Sequence, residues 1–156
     1  MDTINKVIED NVEKDFVYKV KKGIVVLRQV GNLIFVSGHG PEDQITGKPL
    51  YQGRMGKDLT VEEGYGAARE CGIIILGALK DYLGNLDRIE RFVKAFALVN
   101  CAEDFHNIDE VADGFSDVIM DVLEERGYHA RTVMGTHNLP NGNIPVEIET
   151  IIAIRE

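Results

Sequence analysis

His129-Ala130-Arg131-Thr132-Val133-Met134-Gly135, then Asn138-Leu139-Pro140, then Val146-Glu147-Ile148-Glu149: this C-terminal stretch decides the fold. A β-like run opened by an arginine leads into a Pro/Gly loop. A final strand follows, in which Val146 and Ile148 alternate with Glu147 and Glu149. Alternation gives that strand two chemically different faces. Arginine is the side chain best shaped to hold a carboxylate through two parallel hydrogen bonds, and it stays charged near neutral pH. Arg131 is therefore a candidate site residue. The plain alternative is an edge-strand arginine paired with Glu147 or Glu149, and a strand glutamate that is merely solvated.

Two amphipathic helices precede this stretch. Thr60-Val61-Glu62-Glu63 reads as a capping box, a hydroxyl at the N-cap with Glu three residues on. Val61, Tyr65, Ala68, Cys71, Ile75, Leu79 and Tyr82 then recur with a 3.6-residue period, and Gly84-Asn85 supplies the stop. The second helix is expected to start near Asn107 with Glu110 at the box position. It would bury Val111, Phe115, Val118, Ile119 and Val122 and end at Arg126-Gly127. Both stripes are one-sided, so each helix should cover a sheet. Strands are predicted at 16–20, 24–29, 33–37, 91–99, 131–136 and 146–154, with Lys21-Lys22-Gly23 as a hairpin. The order β-β-β-α-β-α-β-β is an α+β layer with two helices on one face of a single sheet. Its other face needs cover, and a subunit interface is the obvious solution.

At 156 residues, 44 % of them hydrophobic, the chain makes one domain with a real core. The formal net charge of -9 repels nucleic acid and anionic membranes. Met1-Asp2-Thr3-Ile4-Asn5-Lys6 lacks the basic and apolar regions of a signal peptide, and no apolar run approaches the ~20 residues of a membrane span. A cytoplasmic protein is expected, with neither nucleic acid nor membrane as partner. Cys71 and Cys101 read as reduced structural thiols, and His39, His106, His129 and His137 show no metal-ligand spacing. The glycine-rich segment 38–59 ends in Gly56-Lys57-Asp58, which breaks the phosphate-loop pattern. Such long loops often border a binding site, and Tyr51 and Arg54 lie in this one. Glu42, Asp43 and the Asp/Glu run at the second helix read as a solvated acidic face.

The order Ala-Arg-Thr, Leu-Pro, Val-Glu-Ile-Glu resembles the end of the RidA/YjgF family of small imine/enamine deaminases. Gly31-Asn32-Leu33-Ile34-Phe35-Val36-Ser37-Gly38, Leu59-Thr60-Val61-Glu62-Glu63, Gly84-Asn85-Leu86-Asp87-Arg88-Ile89 and Val99-Asn100 with Asp104-Phe105 extend the likeness over residues 15–156. Residues 1–14 read as an N-terminal extension. The resemblance implies a chorismate-mutase-like fold, a homotrimer, and ligand pockets in the clefts between subunits. It implies hydrolysis of 2-imino or 2-enamino acids to 2-keto acids and ammonia, without cofactor or metal. The substrate carboxylate would fall to Arg131 and the attacking water to Glu147. Ser37, Gly38 and His39 would line the pocket, with Cys101 and the loop after it nearby. Two departures mark a divergent branch. Lys22-Gly23-Ile24-Val25-Val26 replaces a Gly-Pro-Tyr segment, and Asp109 stands where many members carry Asn. These changes keep open a second reading, a non-catalytic trimer that binds a small carboxylate metabolite. The family's older labels of ribonuclease and translation inhibitor sit poorly with the acidic charge.

Overall fold

The computed structural model describes residues 23–155. The strand expected at 16–20, most of the 21–23 hairpin and the extension 1–14 lie outside the described residues. Within them the order is β1 (Leu27–Val30), β2 (Leu33–His39), α1 (Val61–Leu83), β3 (Ile89–Asn100), α2 (Ile108–Leu123), β4 (Ala130–Thr136) and β5 (Val146–Ile154). The five strands form one sheet in the order β1-β2-β5-β3-β4, antiparallel throughout except for the parallel β3–β4 pair. A parallel pair needs a crossover, which α2 supplies. The α+β architecture read from the sequence is the one observed.

Helix α1 starts as expected. The Thr60 hydroxyl accepts from the Glu63 amide at 3.3 Å, and the Glu63 carboxylate accepts from the Thr60 amide at 2.8 Å. Gly84 ends it in the left-handed region at φ 77°, which glycine adopts without a Cβ penalty. Helix α2 starts directly after Asn107 as expected, but without a side-chain cap, and its α-helical part ends early. Asn107 makes no cap hydrogen bond to the helix; its amide donates to Glu110 at 2.6 Å instead. The α-helix stops at Leu123, and Glu124–Gly127 continues as a 3-10 turn. The second expected strand is also shorter, beginning at Leu27, with Ile24 exposed before it.

The helices pack on each other and on one sheet face. Gly114 lets α2 approach so closely that a Cβ there would run into the Tyr65 backbone carbonyl of α1. Ala95, Ala97, Val99, Val146, Ile148 and Ile152 bury against the helices. The opposite face carries Phe35 (43 % exposed) and Met134 (51 % exposed), with half-buried Phe96, Leu98 and Ile151 beside them. Among the described residues of one chain, this apolar surface is left without cover. No helix among the described residues is long and apolar enough to cross a membrane.

Candidate active site

Arg131 sits at the start of edge strand β4, in register with Ala95 of β3. Ala95 is buried toward the helices, so Arg131 points that way too. There it meets one stripe of α2, because Asp109, Asp113 and Ser116 follow the i, i+4, i+7 spacing of a single helix face. Arg131 Nη1 lies 2.9 Å from Asp113 Oδ1 and donates to Ser116 Oγ at 3.0 Å, while Nη2 stands 3.7 Å from Asp109 Oδ1. The arginine side chain is only 21 % exposed, whereas that of Asp109 is 81 % exposed. One end of the guanidinium is anchored; the other faces a carboxylate that water reaches freely.

The acids that hold Arg131 are thus Asp113 and Asp109, not Glu147 or Glu149, the partners named in the plain alternative. The reason is the pleat. Glu147 is in register with Leu98, which belongs to the opposite face. Arg131 and Glu147 of one chain therefore lie on opposite sides of the sheet.

On Glu147's side, a bulge in β2 organises the local structure. Val36 pairs with Thr150 and His39 with Ile148, so the Ser37-Gly38 step is one residue longer than the β5 segment it faces. The Glu147 carboxylate occupies the space a Cβ on Gly38 would need. Burial, followed by the nearby charges of Glu42 and Glu149, pushes the Glu147 carboxyl above its ordinary value. His39 donates from Nδ1 to the Ser37 carbonyl at 2.6 Å, and burial pushes its pKa down. The Ser37 hydroxyl is spent on the Val25 carbonyl at 2.7 Å, which leaves the Gly38 backbone as the exposed polar part of this step.

A cleft of about 310 Å³ opens at the far end of the parallel β3–β4 pair, lined by Cys101, Phe105, Ile108, Gly135, Thr136 and His137. Ile108 and Gly135 connect it to the Asp109–Arg131 stripe, since Gly135 lies on the same face of β4 as Arg131. Cys101 is buried, with its amide donating to Thr136 and its carbonyl accepting from Arg54 Nη2 at 2.6 Å. Arg54 also approaches His137 Nδ1 at 3.3 Å. Cys101 and Asp109 are thus near Arg131's face, and Ser37, Gly38 and His39 gather at Glu147. Sequence reading missed Asp113, Ser116 and His137. The helical spacing of Asp109, Asp113 and Ser116 was the signal available for the first two.

A single five-stranded sheet with two helices on one face is the chorismate-mutase-like architecture of the YjgF class. The family model described as "YjgF/chorismate mutase-like, putative endoribonuclease" matches residues 23–147, and the chain belongs to the RidA/YjgF family. It is 38 % identical over 125 residues to Protein TCP17 of Trypanosoma cruzi, which covers 80 % of this chain and 76 % of that one. The crystal structure of Agrobacterium tumefaciens Atu1372 superposes with a TM-score of 0.83 at 34 % identity, covering 99 % and 96 % of the two chains. RidA from an Antarctic Psychrobacter shares the fold, with a TM-score of 0.59 at 21 % identity and 92 % and 98 % coverage.

Proposed function

We propose that this protein hydrolyses 2-imino and 2-enamino acids to 2-keto acids and ammonia in the cytoplasm, at clefts completed between copies of a homotrimer. The observation that carries this reading is the Arg131 guanidinium. It is largely buried and anchored at Nη1, while among the described residues Nη2 is held only by an exposed carboxylate 3.7 Å away. A ligand carboxylate can replace Asp109 there without stripping Arg131 of its anchor.

The chemistry asks little of the protein. Water adds to the C=N carbon, the C–N bond then breaks, and ammonia leaves as the keto group forms. Arg131 grips the carboxylate. Glu147 takes a proton from the attacking water and returns it to the departing nitrogen, a contribution of roughly 10²–10⁴-fold. A carboxyl pushed up by burial suits that exchange better than a fully solvated one. Because Arg131 and Glu147 lie on opposite faces of one sheet, the Glu147, Gly38 and His39 that act with a given Arg131 come from a second copy. The uncovered face bearing Phe35, Phe96, Leu98, Met134 and Ile151 supports such association. Cys101 and the loop after it border the ligand, and no cofactor enters the reaction.

A second reading, a trimer that binds a small carboxylate metabolite without turnover, draws support from the two acids already placed on Arg131. The family's endoribonuclease description finds little support in a chain of net charge -9. The deciding experiment measures keto-acid and ammonia release from 2-imino acids made in situ by an amino-acid oxidase, with wild type and Arg131→Ala. Acceleration abolished by Arg131→Ala supports the deaminase. Binding of 2-keto acids without acceleration supports the second reading, and acceleration that survives Arg131→Ala rejects the assigned clamp.

A further inference from the structure

The orientation of Arg131 is fixed by a chain of hydrogen bonds that begins just before its own strand. His129 Nδ1 lies 2.7 Å from the Gly127 carbonyl, which can only accept, so Nδ1 carries the ring proton. In the neutral ring Nε2 is then an acceptor, and it lies 3.0 Å from Ser116 Oγ. A serine has one hydroxyl proton. With that proton committed to Nε2, the lone pairs of Ser116 turn toward Arg131 Nη1, which donates to them at 3.0 Å. The direction of every bond in the chain follows from the first.

We propose that Ser116 and His129 are positioning residues for Arg131. His129 sets the direction of the Ser116 hydroxyl, and Ser116 together with Asp113 holds Nη1 so that Nη2 faces the incoming carboxylate. This rests on the reading of Arg131 as the carboxylate clamp. The neutral ring is well protected. His129 is packed edge-on against Phe115 of α2 at 5.7 Å and tilted against Phe92 of β3 at 6.3 Å. The charged group that faces it is Arg131 from β4, with Asp113 one ion pair further on; the other polar contacts are Ser116 from α2 and the Gly127 carbonyl. Burial pushes its pKa down; the bond to the Gly127 carbonyl opposes this and the Arg131 charge adds to it more weakly, and the net lowering favours the neutral ring with Nε2 as acceptor.

The test combines a measurement that needs no ligand with one that does. Nitrogen-15 NMR of the histidine rings in the full chain should show His129 protonated at Nδ1 and bare at Nε2. Arg131→Gln should raise its pKa. Calorimetric titration with a 2-keto acid should show Ser116→Ala weakening binding about tenfold, with a melting temperature within about 2 °C of wild type. Ser116→Thr, which keeps the hydroxyl, should restore affinity to within about threefold. A proton on Nε2, or equal affinity of Ser116→Ala and wild type, overturns the proposal. If wild type binds no 2-keto acid while His129 shows the expected tautomer, the carboxylate reading fails and the positioning of Arg131 stands.

Discussion

Asp109→Asn should make the protein bind a carboxylate ligand more tightly. Asp109 Oδ1 stands 3.7 Å from Arg131 Nη2, and its side chain is 81 % exposed. Water therefore screens the pair, and the bulk dielectric applies: 332/(80 × 3.7) gives about 1 kcal/mol. A ligand carboxylate on Nη2 arrives at a similar distance from Asp109 and meets a repulsion of similar size. Asn keeps the shape and removes the charge, so the gain is about 1 kcal/mol, or about fivefold in Kd. Because both charges are wet, raising ionic strength from about 0.15 M to about 1 M, where the screening length falls from about 8 Å to about 3 Å, should erase most of the gain. Calorimetric titration with a 2-keto acid at the two salt concentrations measures this. Asp121→Asn is the control: it removes the same charge from the same helix, but Asp121 pairs with Arg69. Unchanged or weaker binding in Asp109→Asn refutes the competition argument and makes Asp109 a ligand contact. A gain shared equally by Asp121→Asn reduces the effect to net charge.

Gly38→Ala should cut turnover about tenfold or more, because the new methyl claims the space of the Glu147 carboxylate and lies 3.0 Å from its Cγ and Cδ. Steady-state kinetics beside circular dichroism separates this from unfolding, and an unaltered rate would show that Glu147 need not stay put. Gly114→Ala sets a helix-propensity gain of about 1 kcal/mol against overpacking of up to about 3 kcal/mol, since the methyl lies 2.9 Å from the Tyr65 carbonyl carbon. The melting temperature should fall by about 4–8 °C. Gly66→Ala, facing only the Tyr51 hydroxyl at 2.9 Å, should leave it unchanged or higher. His39 and His129 both have pKa values lowered chiefly by burial. A lowered folded pKa gives stability that is present above the ordinary value of about 6.5 and lost as pH falls through the folded one. The raised carboxyls of Glu147 and Glu70 move stability the other way as pH falls, so the check is each ring's own titration followed by NMR. His39 and His129 should both titrate below about 6.5, and a ring titrating at or above it would show that the fold does not hold it neutral.

What the sequence disclosed was local. Helix α1 could be read end to end because its capping box, apolar period and left-handed Gly84 are set by neighbours in the chain. The last strand matched from Val146 to Ile154, because an alternating strand buried on one side admits only one register. The partner acids of Arg131 were not legible for the opposite reason. Which face an edge-strand side chain takes depends on pairing with Ala95, 36 positions away, and nothing local to 129–136 encodes it. The weak start of α2 belongs with this. Asn107 had the right chemistry for a cap, but its backbone at φ -84°, ψ 38° is not the extended one that aims a cap oxygen at the helix, and it makes no cap bond. Of the cleft, only Cys101 and the loop after it were anticipated, because the rest forms where the ends of β3 and β4, the start of α2 and His137 converge.

The placement of Arg131 and Glu147 on opposite faces of one sheet makes the proposed catalyst divisible. An inactive Arg131→Ala chain still carries an intact glutamate, and an inactive Glu147→Gln chain still carries an intact arginine. Co-refolded in equal amounts, two dead proteins should therefore regenerate working clefts wherever the two kinds of chain meet in the right order. With random assortment that is about one cleft in four, whatever the number of subunits in the ring. Recovery of about a quarter of the wild-type rate from the mixture, and none from either chain alone, would be genetic complementation carried out within a single assembly.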